Sequence, residues 1–233
     1  SWSERNHHAA TAFDGKMWVA GGGSNGSNLL NDVLSSSDGK TWIQVTSSAA
    51  WTPRQKHSLL VFNNKLYLLG GIDNSTSYMN DIWSSSDGET WTQVTENASW
   101  SARYGHASAV FNNKIWVMGG DNGSLLGDVW YSSNDIASSW TKVSTSGAIW
   151  SARSGHIAIV FDGKLWVIGG NGGSSTLNSW SSLDGSLWSN AGAIANETSR
   201  SGMGGAVLSN RLYISGGYIG NNTYKDDLKK YGP

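Results

Sequence analysis

Residues 100–120, WSARYGHASAVFNNKIWVMGG, recur as WSARSGHIAIVFDGKLWVIGG at 150–170 and as WTPRQKHSLLVFNNKLYLLGG at 51–71. The arginine of this stretch stands at Arg5, Arg54, Arg103, Arg153 and Arg200, at intervals of 49, 49, 50 and 47 residues. A period near fifty marks a repeat protein, in which each unit is too small to bury a core alone and stacks on its neighbours. Five units follow, approximately 1–49, 50–98, 99–148, 149–195 and 196–233, read together as one domain over residues 1–233.

Each unit has the same internal grammar. After the arginine comes a β-rich apolar run such as HASAVF, then DGK or NNK at 14–16, 63–65, 112–114 and 162–164. Asp-Gly and Asn-Asn tolerate the positive φ of a two-residue hairpin turn, so a second strand, KIWVMGG, must pair with the first. A variable loop such as DNGSLLGD (121–128) leads to a third strand, DVWYSS or DIWSSS. SDGKT and SDGET then turn the chain into a fourth, TWIQV at 41–45 and TWTQV at 90–94. Four short antiparallel strands in about 49 residues make a propeller blade rather than a solenoid turn. The fifth unit reads as three strands, which leaves an edge either tolerated, with Lys229 and Lys230 to blunt it, or open to a strand donated by another chain.

The glycine pair, the aromatic after the hairpin turn (Trp18, Tyr67, Trp116, Trp166, Tyr213) and the fourth-strand tryptophan (Trp42, Trp91, Trp140, Trp188) resemble kelch repeats of the bacterial and cell-surface type. The resemblance covers nearly the whole chain. It implies an all-β fold, a five-bladed kelch-like β-propeller of four-stranded antiparallel blades whose last blade lacks its fourth strand. The SSDGxTW stretch is also similar to the Asp-box of sialidases, but Gly39 and Gly88 follow the aspartate directly, where that box has one residue between.

Composition narrows the function. The chain of 233 residues has 30 Gly, 14 Trp, 2 Pro and a net charge of −1, so it carries no broad cationic surface for nucleic acid. No run of about 18 apolar residues appears, so membrane insertion is not expected. The absence of cysteine removes disulfides, thiolate metal sites and a cysteine nucleophile, and with them the copper oxidases of kelch-like fold, which need a cross-linked cysteine. No cofactor and no metal is expected. Asn-x-Ser/Thr sequons at Asn25, Asn74, Asn97, Asn122, Asn196 and Asn221 fall in loop-like stretches, and the expected location is extracellular, cell-surface or periplasmic.

Propeller blades place the strand 4–1 and 2–3 loops on one face and the 1–2 and 3–4 turns on the other. Here the first set is long and variable, which makes it the candidate binding face. Arg5, Arg54, Arg103, Arg153 and Arg200 lie near that face, either as a cationic collar for a carboxylate, phosphate or acidic peptide or as ties to loop carbonyls or to an acid in the adjoining blade. The resemblance implies the collar, since kelch domains that capture acidic peptides use arginines near this mouth. Trp2, Trp51, Trp100 and Trp150, with Glu197 at the fifth position, are either stacking platforms for sugar or wedges between blades.

His8, His57, His106 and His156 lie three residues after their arginines, with Met203 at that position in the fifth unit, and strand-one side chains point into the gaps between blades, so they read as packed histidines rather than a metal ring. Asp38, Asp87 and Asp184 are turn residues; Asp32, Asp81 and Asp128 cap a loop or bond a neighbouring blade. No unrepeated carboxylate pair of the kind glycoside hydrolysis needs stands out. The expectation is a non-enzymatic binding or scaffold propeller that recognises a protein or glycan through the loop face. The alternatives are a sugar-acid-modifying enzyme of epimerase or mutarotase type, with the collar holding the acid while a histidine moves a proton, and a ligand-free scaffold of recently duplicated or designed repeats.

Overall fold

A computed structural model describes residues 2–24, 28–133, 137–144, 150–172 and 176–231, with the side chains of 176–177 and 193–198 left aside. The described residues contain no helix; they form the expected all-β, five-bladed class with three strands in the last blade. In the first blade Arg5–Asn6 and Ala9–Phe13 both pair with Lys16–Ser24, followed by Leu29–Ser36 and Ile43–Thr46. The second runs Ser58–Phe62, Lys65–Ile72, Tyr78–Ser85 and Thr92–Thr95. The third runs Ala107–Phe111, Lys114–Asp121, Leu125–Ser132 and Trp140–Lys142, and the fourth Ile157–Phe161, Lys164–Ile168, Thr176–Ser182 and Ser189–Thr198. In the fifth, Gly204–Leu208 and Leu228–Tyr231 flank Arg211–Ser215. A side hairpin, Tyr218–Gly220 with Thr223–Tyr224, stands where the sequence reads only as loop.

The chain divides into two compact units, Ser1–Tyr104 with Ser132–Trp140, and Gly105–Tyr131 with Thr141–Pro233. In the first unit Phe13, Trp18 and Ala20 of one blade meet Leu59, Leu66 and Leu68 of the next. In the second, Phe111, Trp116 and Met118 meet Leu165 and Val167, while Ile157 and Phe161 meet Leu212 and Ile214. Period-2 alternation along each strand thus serves two cores, one on each side of a blade.

The hairpin turns hold two successive left-handed residues, Asp14–Gly15, Asn63–Asn64, Asn112–Asn113, Asp162–Gly163 and Ser209–Asn210. Indole N–H groups of Trp18, Trp116 and Trp166 donate to the last carbonyl of strand one, each at 2.9 Å, which explains the aromatic after the turn. The 3–4 turn closes on its serine and aspartate. Ser36 Oγ accepts from the Gly39 amide at 2.9 Å, and Asp38 accepts from the amides of Lys40 (2.8 Å) and Thr41 (2.7 Å). Those amides hold Asp38 down to about 2, and the same bonds from Leu187 and Ser186 hold Asp184 down to about 2.

Two boundaries differ from the sequence reading. The fourth strands begin one residue after Trp42, Trp91 and Trp188, whose indoles donate back to the turn glycines Gly39, Gly88 and Gly185, whereas that of the third blade begins at Trp140, whose indole donates to Ala137. Strand one is also broken. The second residue after each arginine is left-handed (His7, Lys56, Gly105, Gly155, Gly202), which separates a short bridge to the end of strand two from the main ladder.

The glycine pair exists because histidines approach it from both sides. A Cβ on Gly71 (φ +109°) would lie 2.8 Å from Cβ of His57 and 2.9 Å from the Gln55 carbonyl, whereas one on Gly163 (φ +67°) would meet nothing within 4 Å. Gly71→Ala should therefore cost about 3 kcal/mol or more, clash added to strain, and Gly163→Ala about 1 kcal/mol from φ alone. Urea unfolding of the two variants checks the ordering; equal losses would remove close packing as the reason for the pair.

Candidate functional site

Burial decides how the collar is arranged. Arg54, Arg103, Arg153 and Arg200 are at most 4% exposed, and the Arg5 side chain is 2% exposed. The guanidinium groups of Arg5, Arg54 and Arg200 fork onto an aspartate of their own blade. Arg5 meets Asp32 at 2.7 and 2.9 Å, Arg54 meets Asp81 at 2.5 and 2.7 Å, and Arg200 meets Asp227 at 2.6 and 3.3 Å. Each also donates to the carbonyl of the first glycine of its blade's pair, Gly21, Gly70 and Gly216. The acid is thus in the same blade, where the sequence reading placed it in the adjoining one. Strand three returns beside strand two, so the aspartate 27 residues on meets its own arginine before any neighbour's.

The arginine backbone faces the other way. Its carbonyl accepts from the second glycine of the preceding blade, Gly22 to Arg54 (2.9 Å), Gly71 to Arg103 (2.9 Å), Gly120 to Arg153 (2.8 Å) and Gly170 to Arg200 (2.8 Å). Its N–H donates to the preceding third strand, Arg54 to Leu30, Arg103 to Met79 and Arg153 to Leu126. One residue joins two blades through its main chain and braces one blade through its side chain. Bidentate pairing and a buried carbonyl offset the desolvation of the cation.

Trp51, Trp100 and Trp150 are likewise buried, edge-on to Trp91, Trp140 and Trp188. Trp2 is half-buried, stacked on Trp42 at 5.1 Å with the Arg5 guanidinium 5.2 Å from its ring centroid. The loop bases are sewn down by asparagines. Asn31 Nδ2 donates to the carbonyls of Ala49 and Trp51, and Asn80 Nδ2 to those of Ala98 and Trp100. The histidines pack as expected of strand-one side chains. The His57 ring presses on Gly21 and the His156 ring on Gly119 of the preceding blade, and burial, with Arg153 nearby, pushes His156 down to about 3, so it is neutral at physiological pH.

Among the sequons, Asn74, Asn97 and Asn221 are exposed and Asn122 is half-buried; Asn25 and the side chains of Asn196 and Glu197 lie outside the described residues. Two features escape a reading that looks for what the repeats share. Asp227 is legible only by counting 27 residues from Arg200, the interval that separates Arg5 from Asp32 and Arg54 from Asp81. The other is a gap. Asp32 and Asp81 stand six before the turn aspartates Asp38 and Asp87, but Asn178 stands six before Asp184.

Arg153 accordingly bonds the Gly169 carbonyl and Ser151 but no acid among the described residues, and burial depresses its pKa. Asn178→Asp should raise stability by about 1–3 kcal/mol and Asp81→Asn should lower it by about 3 kcal/mol, as charged hydrogen bonds are gained and lost. Thermal melts of both variants at neutral pH check the sign; destabilisation by Asn178→Asp would show that no carboxylate belongs there.

The family model that describes the KLHDC2/KLHL20/DRC7 Kelch-repeats domain matches this chain over residues 1–120 and again over 85–233. Among curated proteins no match is found.

Proposed function

The chain belongs to the Kelch-repeat family, and from that premise we propose that it is a non-enzymatic binding scaffold that takes a protein or glycan on the face formed by the strand 4–1 and 2–3 loops. The observation that supports this reading is the division of labour between repeated and unrepeated residues. Arginine, aspartate, tryptophan and glycine recur in the blades and are used inside them. The exposed side chains that differ from blade to blade sit in the loops, such as Asn74, Ser75, Thr76 and Ser77.

Rigidity adds to the case. Asp73 accepts from the amides of Ser75 and Ser77, both at 2.8 Å, and Asp121 accepts from that of Gly123 at 2.8 Å, so these loops are shaped before any ligand arrives. In this reading Arg5, Arg54, Arg103, Arg153 and Arg200, with Trp2, Trp51, Trp100 and Trp150, act from beneath: they hold the loop bases, and contact is made by the side chains above. An extracellular, cell-surface or periplasmic setting accords with the exposed sequons at Asn74, Asn97 and Asn221.

Combined glycan and acidic-peptide arrays test the proposal. Hits are expected, and they should vanish when Asn74–Ser77 are replaced by Gly-Ser sequence at unchanged melting temperature, yet survive Lys40→Ser and Glu89→Ser in the opposite turns. No hits on either array, or hits lost through the opposite turns, would overturn it.

A further inference from the structure

We propose that Asn6, His7, Gln55, Lys56, Tyr78 and Tyr104 form a binding site for an acidic sugar of the hexuronate class within the first compact unit. The inference rests on the loop-face reading above and names the ligand for one part of that face.

It begins with backbone strain. The second residue after each arginine has φ between 52° and 65° in all five repeats, a region that suits glycine. The last three repeats have Gly105, Gly155 and Gly202 there; the first two have His7 and Lys56. The main chain is the same in both cases. Lys56 donates its amide to the His7 carbonyl at 2.9 Å, as Gly155 does to Gly105 (2.8 Å) and Gly202 to Gly155 (2.7 Å). The fold therefore accepts glycine at this position, and the two side chains are held there against a conformational cost that nothing in the backbone requires. Strain of this kind marks sites of function.

What surrounds those side chains is equally unrepeated. The Lys56 ammonium lies 5.0 Å from the Tyr104 ring centroid, and Tyr104 meets Tyr78 at 5.4 Å and 38°. The residue after the arginine is Asn6, Gln55 and Tyr104 in the first three repeats but Ser154 and Ser201 in the last two. Gln55 hydrogen-bonds His7, and His7 Nδ1 lies 3.0 Å from Asn6 Oδ1. Asn6 Oδ1 and Gln55 Oε1 converge over Gly23, where an added Cβ would lie 3.1 and 3.4 Å from them. Lys56 joins no ion pair among the described residues.

The chemistry of this group selects the ligand. Desolvation by its neighbours and then the Lys56 charge lower the pKa of the exposed His7, which favours the neutral imidazole beside the fixed charge of Lys56. Side-chain amides offer donor and acceptor together, the pattern that pairs with vicinal hydroxyls, while two tyrosine rings supply an amphipathic wall for the apolar side of a pyranose. A single cation next to amides and phenols fits one carboxylate on a polyhydroxylated ring. An acidic peptide presents its charges in series and would need more than one cation.

Isothermal titration of the whole chain with methyl β-glucuronide and methyl β-glucoside tests the inference. Saturable binding of the glucuronide is expected, at least tenfold tighter than that of the neutral glucoside. Lys56→Gly should weaken it at least tenfold while leaving the melting temperature unchanged or raised, since glycine relieves the strain, and Tyr104→Ser should weaken it independently. Binding that survives Lys56→Gly, equal affinity for the two sugars, or tighter binding of an acidic peptide than of the glucuronide would overturn the assignment. Absence of glucuronide binding in a chain that still gives array hits dependent on Asn74–Ser77 overturns the sugar site alone, whereas absence of both overturns the face.

Discussion

The structure depends on one residue per repeat that belongs to two blades at once. The main chain of Arg54, Arg103 or Arg153 continues the hydrogen bonding of the preceding blade through both its N–H and its carbonyl, and its guanidinium is fixed to carbonyls of its own repeat. Blades held through side chains alone could slide on one another. A main-chain bond pair between a glycine and an arginine sets the register of one blade on the next. The glycine pair is the complement of that constraint: a Cβ on Gly71 or Gly170 would lie within 3 Å of the Cβ of His57 or His156 and of the Gln55 or Ser154 carbonyl, so only glycine lets the second position reach the arginine carbonyl.

Burying a guanidinium for this purpose is costly unless its charge is matched, and the blades solve this in different ways. Asp32, Asp81 and Asp227 supply a forked carboxylate, while the fourth blade has Asn178 and leaves Arg153 to carbonyl and hydroxyl oxygens. The same residues that look like ligand-binding equipment in a one-dimensional sequence are thus occupied by the scaffold. What the repeats do not share is concentrated in loops anchored by Asn31, Asn80 and Asp73, and the proposed reading assigns recognition to those differences.

Much of the blade was legible because its signals are local. Asp14–Gly15 and Asn63–Asn64 form their turns through their own φ preferences, and the 49-residue period gave the number of blades. The partner of each arginine was not legible in the same way, because 27 residues and a strand reversal separate Arg54 from Asp81, and spacing alone does not say which blade an acid will face. Apolar character puts Trp91 in a strand, yet the strand begins at Thr92 and the Trp91 indole N–H donates to the Gly88 carbonyl. The short hairpin Tyr218–Tyr224 carries Asn221 and Asn222 at positive φ, the same chemistry as the other turns, but with strands of two and three residues it leaves too little periodicity to recognise. The departures at His7 and Lys56 were present in the sequence as two missing glycines, visible only once the left-handed backbone at that position is known.

Native-state hydrogen exchange at the amides of Gly22, Gly71, Gly120 and Gly170 reads the arginine clasp directly. If these bonds hold one repeat to the next, the four amides should be as protected as those of buried strand-two residues such as Leu68 and Val117. Exchange at the rate of exposed loop amides such as Ser75 would show that the blades are held by side-chain packing alone and that the arginine does not join them.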